Sequence, residues 1–161
     1  YTVRGDLRAN RQRLMEYVRN GGTLVVQYNT IQSDDPFDLA PYPFKVSRDR
    51  VSVEDAPVQV LLPQHPLLQS PNKITGADFS SWVQERGLYF AKDWDKRYET
   101  PFASADPGEK PNPGGLLYTR FGKGVYIFTA YSWFRQLPAG VPGAYRIFAN
   151  LLSAGQALTK Q

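Results

Sequence analysis

The chain has 161 residues, 42% of them hydrophobic and 21% charged, with a net charge of +4 from 19 basic and 15 acidic side chains. That is the size of one domain with its own core, and no run of about 18 apolar residues is present to span a bilayer. Zero cysteines and a single histidine, His65, exclude a thiolate nucleophile, disulfides and a Cys/His-rich metal centre, so neither a metal nor a cofactor is expected.

The first residues, "YTVRGDLRANRQR", hold no apolar stretch and do not read as a secretion signal. Their arginines, Arg4, Arg8, Arg11 and Arg13, form with Arg19 the densest basic cluster. Acidic residues interleave elsewhere, whereas nucleic-acid binders concentrate charge on one face, so no nucleic-acid partner is expected. Asp6 can cap a helix reaching about Arg19, with Leu7, Leu14 and Val18 on one stripe. Asn20-Gly21-Gly22 ends it. Thr23 to Tyr28, "TLVVQY", follows as an apolar, β-branched run suited to a central strand covered on both faces.

From Gln32 to Pro43 three prolines predict an irregular loop. Extended pieces around Phe44–Ser47, Val51–Val53 and Val58–Leu62 predict a small antiparallel addition. Thr75 and Asp78 have the spacing of a capping box, and a short helix is expected through Trp82. "GLYFAKDW" and "TPFASAD" read as short strands, and residues 106–115, "DPGEKPNPGG", as a mobile loop. "LLYTRFGKGVYIFTAY" reads as a hairpin joined through Gly122-Lys123-Gly124. Its "RFGKG" lacks the spacing and the Ser/Thr of a phosphate loop. Pro142 then opens a final helix, with Tyr145, Phe148, Leu151 and Leu152 on one face.

"YVRNGGTLVVQYNT", "HPLL", "YTRFGKGVYIFTAYS" and "AYRIFANLL" follow the order seen in class I glutamine-amidotransferase-like domains, especially the ThuA-like branch. More closely, "GGTLVVQYNT", "PNKIT" and "RQLPAGVPGAYR" make the chain similar to the C-terminal region of large bacterial LmbE/PIG-L-type deacetylases. The resemblance implies an α/β, flavodoxin-like three-layer sandwich with a mostly parallel sheet. It also implies that one or more βα units precede the first helix in the whole domain. The partners expected are therefore other domains of a parent protein, and a second copy meeting an exposed sheet edge.

In that family the strand matching "TLVVQY" ends in a catalytic cysteine, and ThuA-like relatives place a histidine there; here the position holds Tyr28. A tyrosine with its ordinary pKa of about 10 is neutral at pH 7 and a poor nucleophile. No histidine follows His65, and the His-Pro-Asp-Asp zinc motif of the deacetylases is absent. The resemblance thus points to a non-catalytic accessory module of a glycan-deacetylase-type protein.

Individual residues keep two readings. Tyr28 and Asn29 stand at a strand tip, where ligands bind in α/β proteins, or they close a turn. His65 is a general base working with Asp78 or Glu85 in a rearranged hydrolase, or a structural residue before proline. Trp82, Trp94 and Trp133 offer a carbohydrate surface, or they anchor the core. Arg86 binds a polar ligand beside Trp82, or forms a solvated pair with Glu85. Arg135 meets an anionic ligand or another domain, or belongs to a rigid connection.

Overall fold

A computed structural model describes residues 3–30 and 35–156. In chain order these form α1 (Gly5–Ala9), α2 (Arg11–Arg19), β1 (Thr23–Gln27), β2 (Lys45–Val46), β3 (Arg50–Val51), β4 (Val58–Val60) and α3 (Pro66–Gln69). A 3₁₀ turn at Gly76–Phe79 follows, then β5 (Gly87–Leu88), β6 (Ala91–Lys92), β7 (Phe102–Ser104), β8 (Leu116–Phe121), β9 (Gly124–Thr129), α4 (Trp133–Gln136) and α5 (Pro142–Leu152). Residues 31–34, at the start of the expected proline-rich loop, lie outside the described residues.

The largest sheet has three strands in the order β1-β9-β8. β1 runs parallel to β9, with Thr23 opposite Val125 and Gln27 opposite Thr129, whereas β8 and β9 are antiparallel. The other sheets are antiparallel pairs, β2 with β6, β3 with β5 and β4 with β7. This corrects the expectation of a flavodoxin-like three-layer sandwich on a mostly parallel sheet, because one pairing alone among the described strands is parallel. β2, β3 and β4 do not pair with one another as an antiparallel addition. Each waits for a strand some forty residues further on.

β9 is buried along its whole length, and its Tyr126 and Phe128 form the heart of the core with Leu116, Leu117 and Tyr118 of β8. That burial matches its continuous apolar run. Gly122, at φ +62°, takes the first central position of the two-residue turn between β8 and β9, as a type II′ turn requires. Gly124 is glycine for a different reason. A Cβ there would collide with the carbonyls of Val18 and Gly22, where the end of α2 crosses the start of β9.

Three helical expectations are refined. The helix from Asp6 breaks at Asn10, whose side chain donates back to the Asp6 carbonyl at 2.9 Å. The capping box at Thr75 is present, with the Asp78 carboxylate accepting the Thr75 N–H at 2.8 Å, but it opens a single 3₁₀ turn that ends before Trp82. In α5 the buried stripe is Gly143, Ala144, Ile147, Asn150 and Leu151, while Tyr145 and Leu152 are exposed. The stripe turns because Asn150 is buried for its hydrogen bonds. Its amide accepts from Asn72 N at 2.9 Å and donates to the carbonyls of Leu67 and Asn72, both at 2.7 Å.

Candidate functional site

β1 and β9 end side by side, and the chain leaving them builds the most distinctive surface of the molecule. After Gln27, Tyr28 still donates its N–H to the Thr129 carbonyl at 2.9 Å but turns to φ +34°. A non-glycine residue in that region is uncommon and strained. Asn29 then donates from its amide to the Gln27 carbonyl at 3.1 Å and is buried. The Tyr28 ring stands edge-on to Tyr89, 5.7 Å away, and to Phe134, 4.6 Å away. Tyr89 is itself at φ +64°, and Phe134 is 42% exposed.

Beneath this aromatic group lies a polar one. The Glu85 carboxylate accepts from Ser132 Oγ at 2.9 Å and from Arg135 Nε at 2.6 Å, both on the same oxygen. Gln136, wholly buried, locks the approach. Its side chain accepts from Val83 N at 2.8 Å and donates to the carbonyls of Val83 and Glu85. The Arg135 guanidinium also lies over the Phe134 ring, 5.1 Å from its centre.

The remaining expected residues serve the frame. Arg86 is buried and donates to the carbonyls of Ala56 at 2.9 Å and Phe79 at 2.5 Å, with its guanidinium over the Trp82 ring at 5.2 Å. Burial lowers its pKa. Trp82 and Trp133 are both buried, bonded to the Asp78 carbonyl at 3.2 Å and to Thr129 Oγ1 at 2.9 Å, so neither presents a face to a sugar. Trp94 is half-buried against the core. Asp78 is held by Thr75 and by Arg146 Nε at 2.7 Å.

His65 stands apart from Asp78 and Glu85, and its ring touches neither. Its Nδ1 accepts the Leu67 N–H at 3.2 Å and so caps α3, which places the proton of the neutral ring on Nε2. Nε2 is buried, 3.6 Å from Glu99 Oε2, too far for a hydrogen bond. Burial lowers the His65 pKa to about 4, and the ring meets Tyr118 edge-on at 4.5 Å. With Nδ1 occupied by the Leu67 N–H and Nε2 buried, the ring offers no free acceptor for a substrate proton. The combination of His65 with Asp78 or Glu85 that a rearranged hydrolase needs is not assembled.

Two further surfaces are shaped. A groove of about 290 Å³ runs beside β1, lined by Leu7, Leu14, Leu24, Val26 and Leu39 and ending at Tyr28 and Asn29. A polar cleft of about 370 Å³ lies between Arg48–Val51 and Ser104–Asn112. There burial pushes the Asp106 carboxyl up, but hydrogen bonds from Ser52 and Val53 outweigh it and hold its pKa below the usual value. Among the described residues no group of three or more His, Asp or Glu side chains could hold a metal, and no helix is long and apolar enough to cross a membrane.

Tyr89 and Phe134 were not singled out by the sequence. Phe134 carries a usable signal, an aromatic directly before Arg135 at the solvent side of a short helix. Tyr89 carries none, since its role follows from a backbone angle.

No protein-family model matches the chain, and no curated protein matches it. Among solved structures the chain is similar to a cold-adapted β-galactosidase from Rahnella sp. R3, at 13% identity and a TM-score of 0.50. The match covers 92% of this chain and 21% of that one, so the chain spans about a fifth of its neighbour's length. At that identity the likeness is one of fold alone.

Proposed function

We propose that this domain is a non-catalytic accessory module of a larger protein resembling LmbE-type glycan deacetylases, and that it works by binding and assembly. The observation that carries this reading is the tip of β1. The strand ends in a strained, positive-φ residue of the kind that displays a nucleophile, yet the side chain there is a phenol packed between Tyr89 and Phe134. The chain's one histidine is buried elsewhere as a helix cap.

Assembly has its own support. Gly22 and Tyr28 bond to β9, so by alternation the main-chain groups of Leu24 and Val26 face β9, and those of Thr23, Val25 and Gln27 face outward along the open edge. An antiparallel pairing of two such edges about Val25 is self-complementary, and apolar side chains line the adjoining groove. The expected result is a dimer or larger assembly in light scattering at high concentration. Gln27→Pro and Val25→Pro each remove an outward N–H while leaving the β9 ladder intact, and each shifts the chain toward monomer. A wild-type monomer, or an assembly indifferent to both prolines, overturns the assembly reading. Ammonia released from glutamine, or acetate from N-acetylglucosamine, by the purified chain overturns the non-catalytic one.

A further inference from the structure

The surface beyond β1 and β9 carries a guanidinium that is oriented but not used up. Arginine has five N–H donors in a fixed fork. In Arg135 the Nε–H is spent on Glu85 at 2.6 Å, and the two terminal nitrogens have no hydrogen-bond partner among the described residues. The clamp is itself fixed, because Ser132 Oγ donates to the same Glu85 oxygen and Gln136 Nε2 donates to the Glu85 carbonyl at 3.3 Å. The Arg135 side chain is 33% exposed, so the free end of the fork is reachable.

The open end of the fork suits an anion. Arg135 and Glu85 cancel, but Arg86, the next residue, is buried with its guanidinium on the Ala56 and Phe79 carbonyls and no carboxylate in contact. Asp55 and Glu54 act on Arg86 electrostatically, so the preference for an anion rests on the open end of the Arg135 fork. One ring lies against the fork, and two more continue from it. Phe134, 42% exposed, touches both the Arg135 guanidinium and the Tyr28 ring, and Tyr28 continues to Tyr89. A large apolar ring left open beside an unspent cation suits a ligand with a flat or apolar body and one anionic end.

We propose that this surface binds a small carboxylic acid attached to a ring, the carboxylate meeting the free nitrogens of Arg135 and the ring lying against Phe134, Tyr28 and Tyr89. Two sources share that chemistry, aromatic acids and sugar acids. Inorganic phosphate satisfies the fork but not the rings, and a neutral sugar satisfies the rings but not the fork. The polar clamp of Glu85, Ser132, Arg135 and Gln136 makes no hydrogen bond to Thr23, Val25 or Gln27.

The test is a titration of the ¹⁵N-labelled chain with sodium benzoate, sodium glucuronate, glucose and inorganic phosphate at fixed ionic strength, following the Arg135 Nε–H and the amides of residues 28, 89 and 134. At least one ring acid is expected to bind about tenfold more tightly than glucose or phosphate. Whichever of benzoate and glucuronate binds better assigns the source. Arg135→Gln is expected to weaken that binding by about tenfold or more. Phe134→Ala, at an exposed position that leaves the Glu85 clamp in place, weakens it by a few-fold without changing the phosphate response. Shifts equal for ring acids and phosphate, no shift with either ring acid, or ring-acid binding unchanged in Phe134→Ala overturns the proposal, even where Arg135→Gln does not fold.

Discussion

The sheet β1-β9-β8 and the segment from Phe44 to Asn112 are held together by different forces. In the sheet, β8 and β9 pair over six residues each and β1 over five, and the buried side chains are almost all apolar. In the segment, no ladder exceeds three residues. Order there comes from side chains bonded to distant main-chain groups: Arg86 to Ala56 and Phe79, Asp106 to Ser52 and Val53, Ser47 to Phe90, Asn150 to Leu67 and Asn72. Among the described residues, four of the five non-glycine residues at positive φ, Ser81, Gln84, Tyr89 and Asp93, fall in the segment as well. A ladder spreads its stabilisation over many equal bonds, so one loss is tolerated. A segment pinned at a few points concentrates it, and each pin should be individually indispensable.

Arg86 is the sharpest test of that difference. Arg86→Met keeps the stem packed on Trp82 and removes a guanidinium that satisfies two buried carbonyls. Hydrogen bonds to charged groups contribute about 1.5–3 kcal/mol each, and orphaned carbonyls add a desolvation cost, so a loss of about 3–5 kcal/mol is expected in urea unfolding. A loss below about 1 kcal/mol would mean that the segment is held by packing after all, as the sheet is.

His65 tests the same pinning through pH. It caps α3 only while Nδ1 is unprotonated, and its pKa is lowered by burial from 6.5 to about 4. The unfolded chain therefore takes up the proton first. Stability from this group is complete above pH 6.5 and declines as pH falls toward 4, where the folded protein protonates too. The shift corresponds to a loss of up to about 3 kcal/mol. His65→Asn retains a cap acceptor and removes the titration, so its stability should lack this component between pH 7 and 4. Because His65 is the chain's one histidine, the imidazole Cε1–H resonance reports it directly. A midpoint near 6.5 would show the ring to be solvated and the cap dispensable.

What the sequence made legible follows the same division. The hairpin and the Pro142 helix are local, with turn chemistry and apolar periodicity adjacent in the chain, and both lie where the pattern places them. β1 was legible as a strand but not as an edge, because "TLVVQ" records which faces are covered and says nothing about whether a neighbour lies on each side. The parallel sandwich was implied by the family resemblance, and the described pairings, all antiparallel but one, overturn it. Lys45–Val46 and Ala91–Lys92 were legible as extended pieces, but not as partners, because their pairing depends on tethers such as Ser47 to Phe90. Beyond the strand ends, Arg135 and Glu85 were each noticed, but their partnership spans 50 residues and needs Gln136 to set it. Tyr89 was invisible, since nothing in a tyrosine announces a positive φ.

The smallest expected effect has the opposite sign and belongs to the sheet. Tyr126, at the centre of β9, is wholly buried and its hydroxyl has no hydrogen-bond partner among the described residues. Burial drives its pKa well above the ordinary tyrosine value, so the group stays neutral and its cost is that of an unmet donor. Replacing such a hydroxyl by hydrogen removes a desolvation penalty and leaves the ring packing unchanged, so Tyr126→Phe should stabilise the protein by about 1 kcal/mol. The ladder makes this substitution safe, because β9 is fixed by main-chain bonds on both sides and does not rely on the side chain for register. Tyr98 is the control. It too is buried, but its hydroxyl donates to the Tyr42 carbonyl at 2.8 Å, so Tyr98→Phe should destabilise by a similar amount. If both variants lose stability in urea unfolding, the Tyr126 hydroxyl has a partner, a bridging water being the natural choice, and the sheet too is pinned by a buried polar contact.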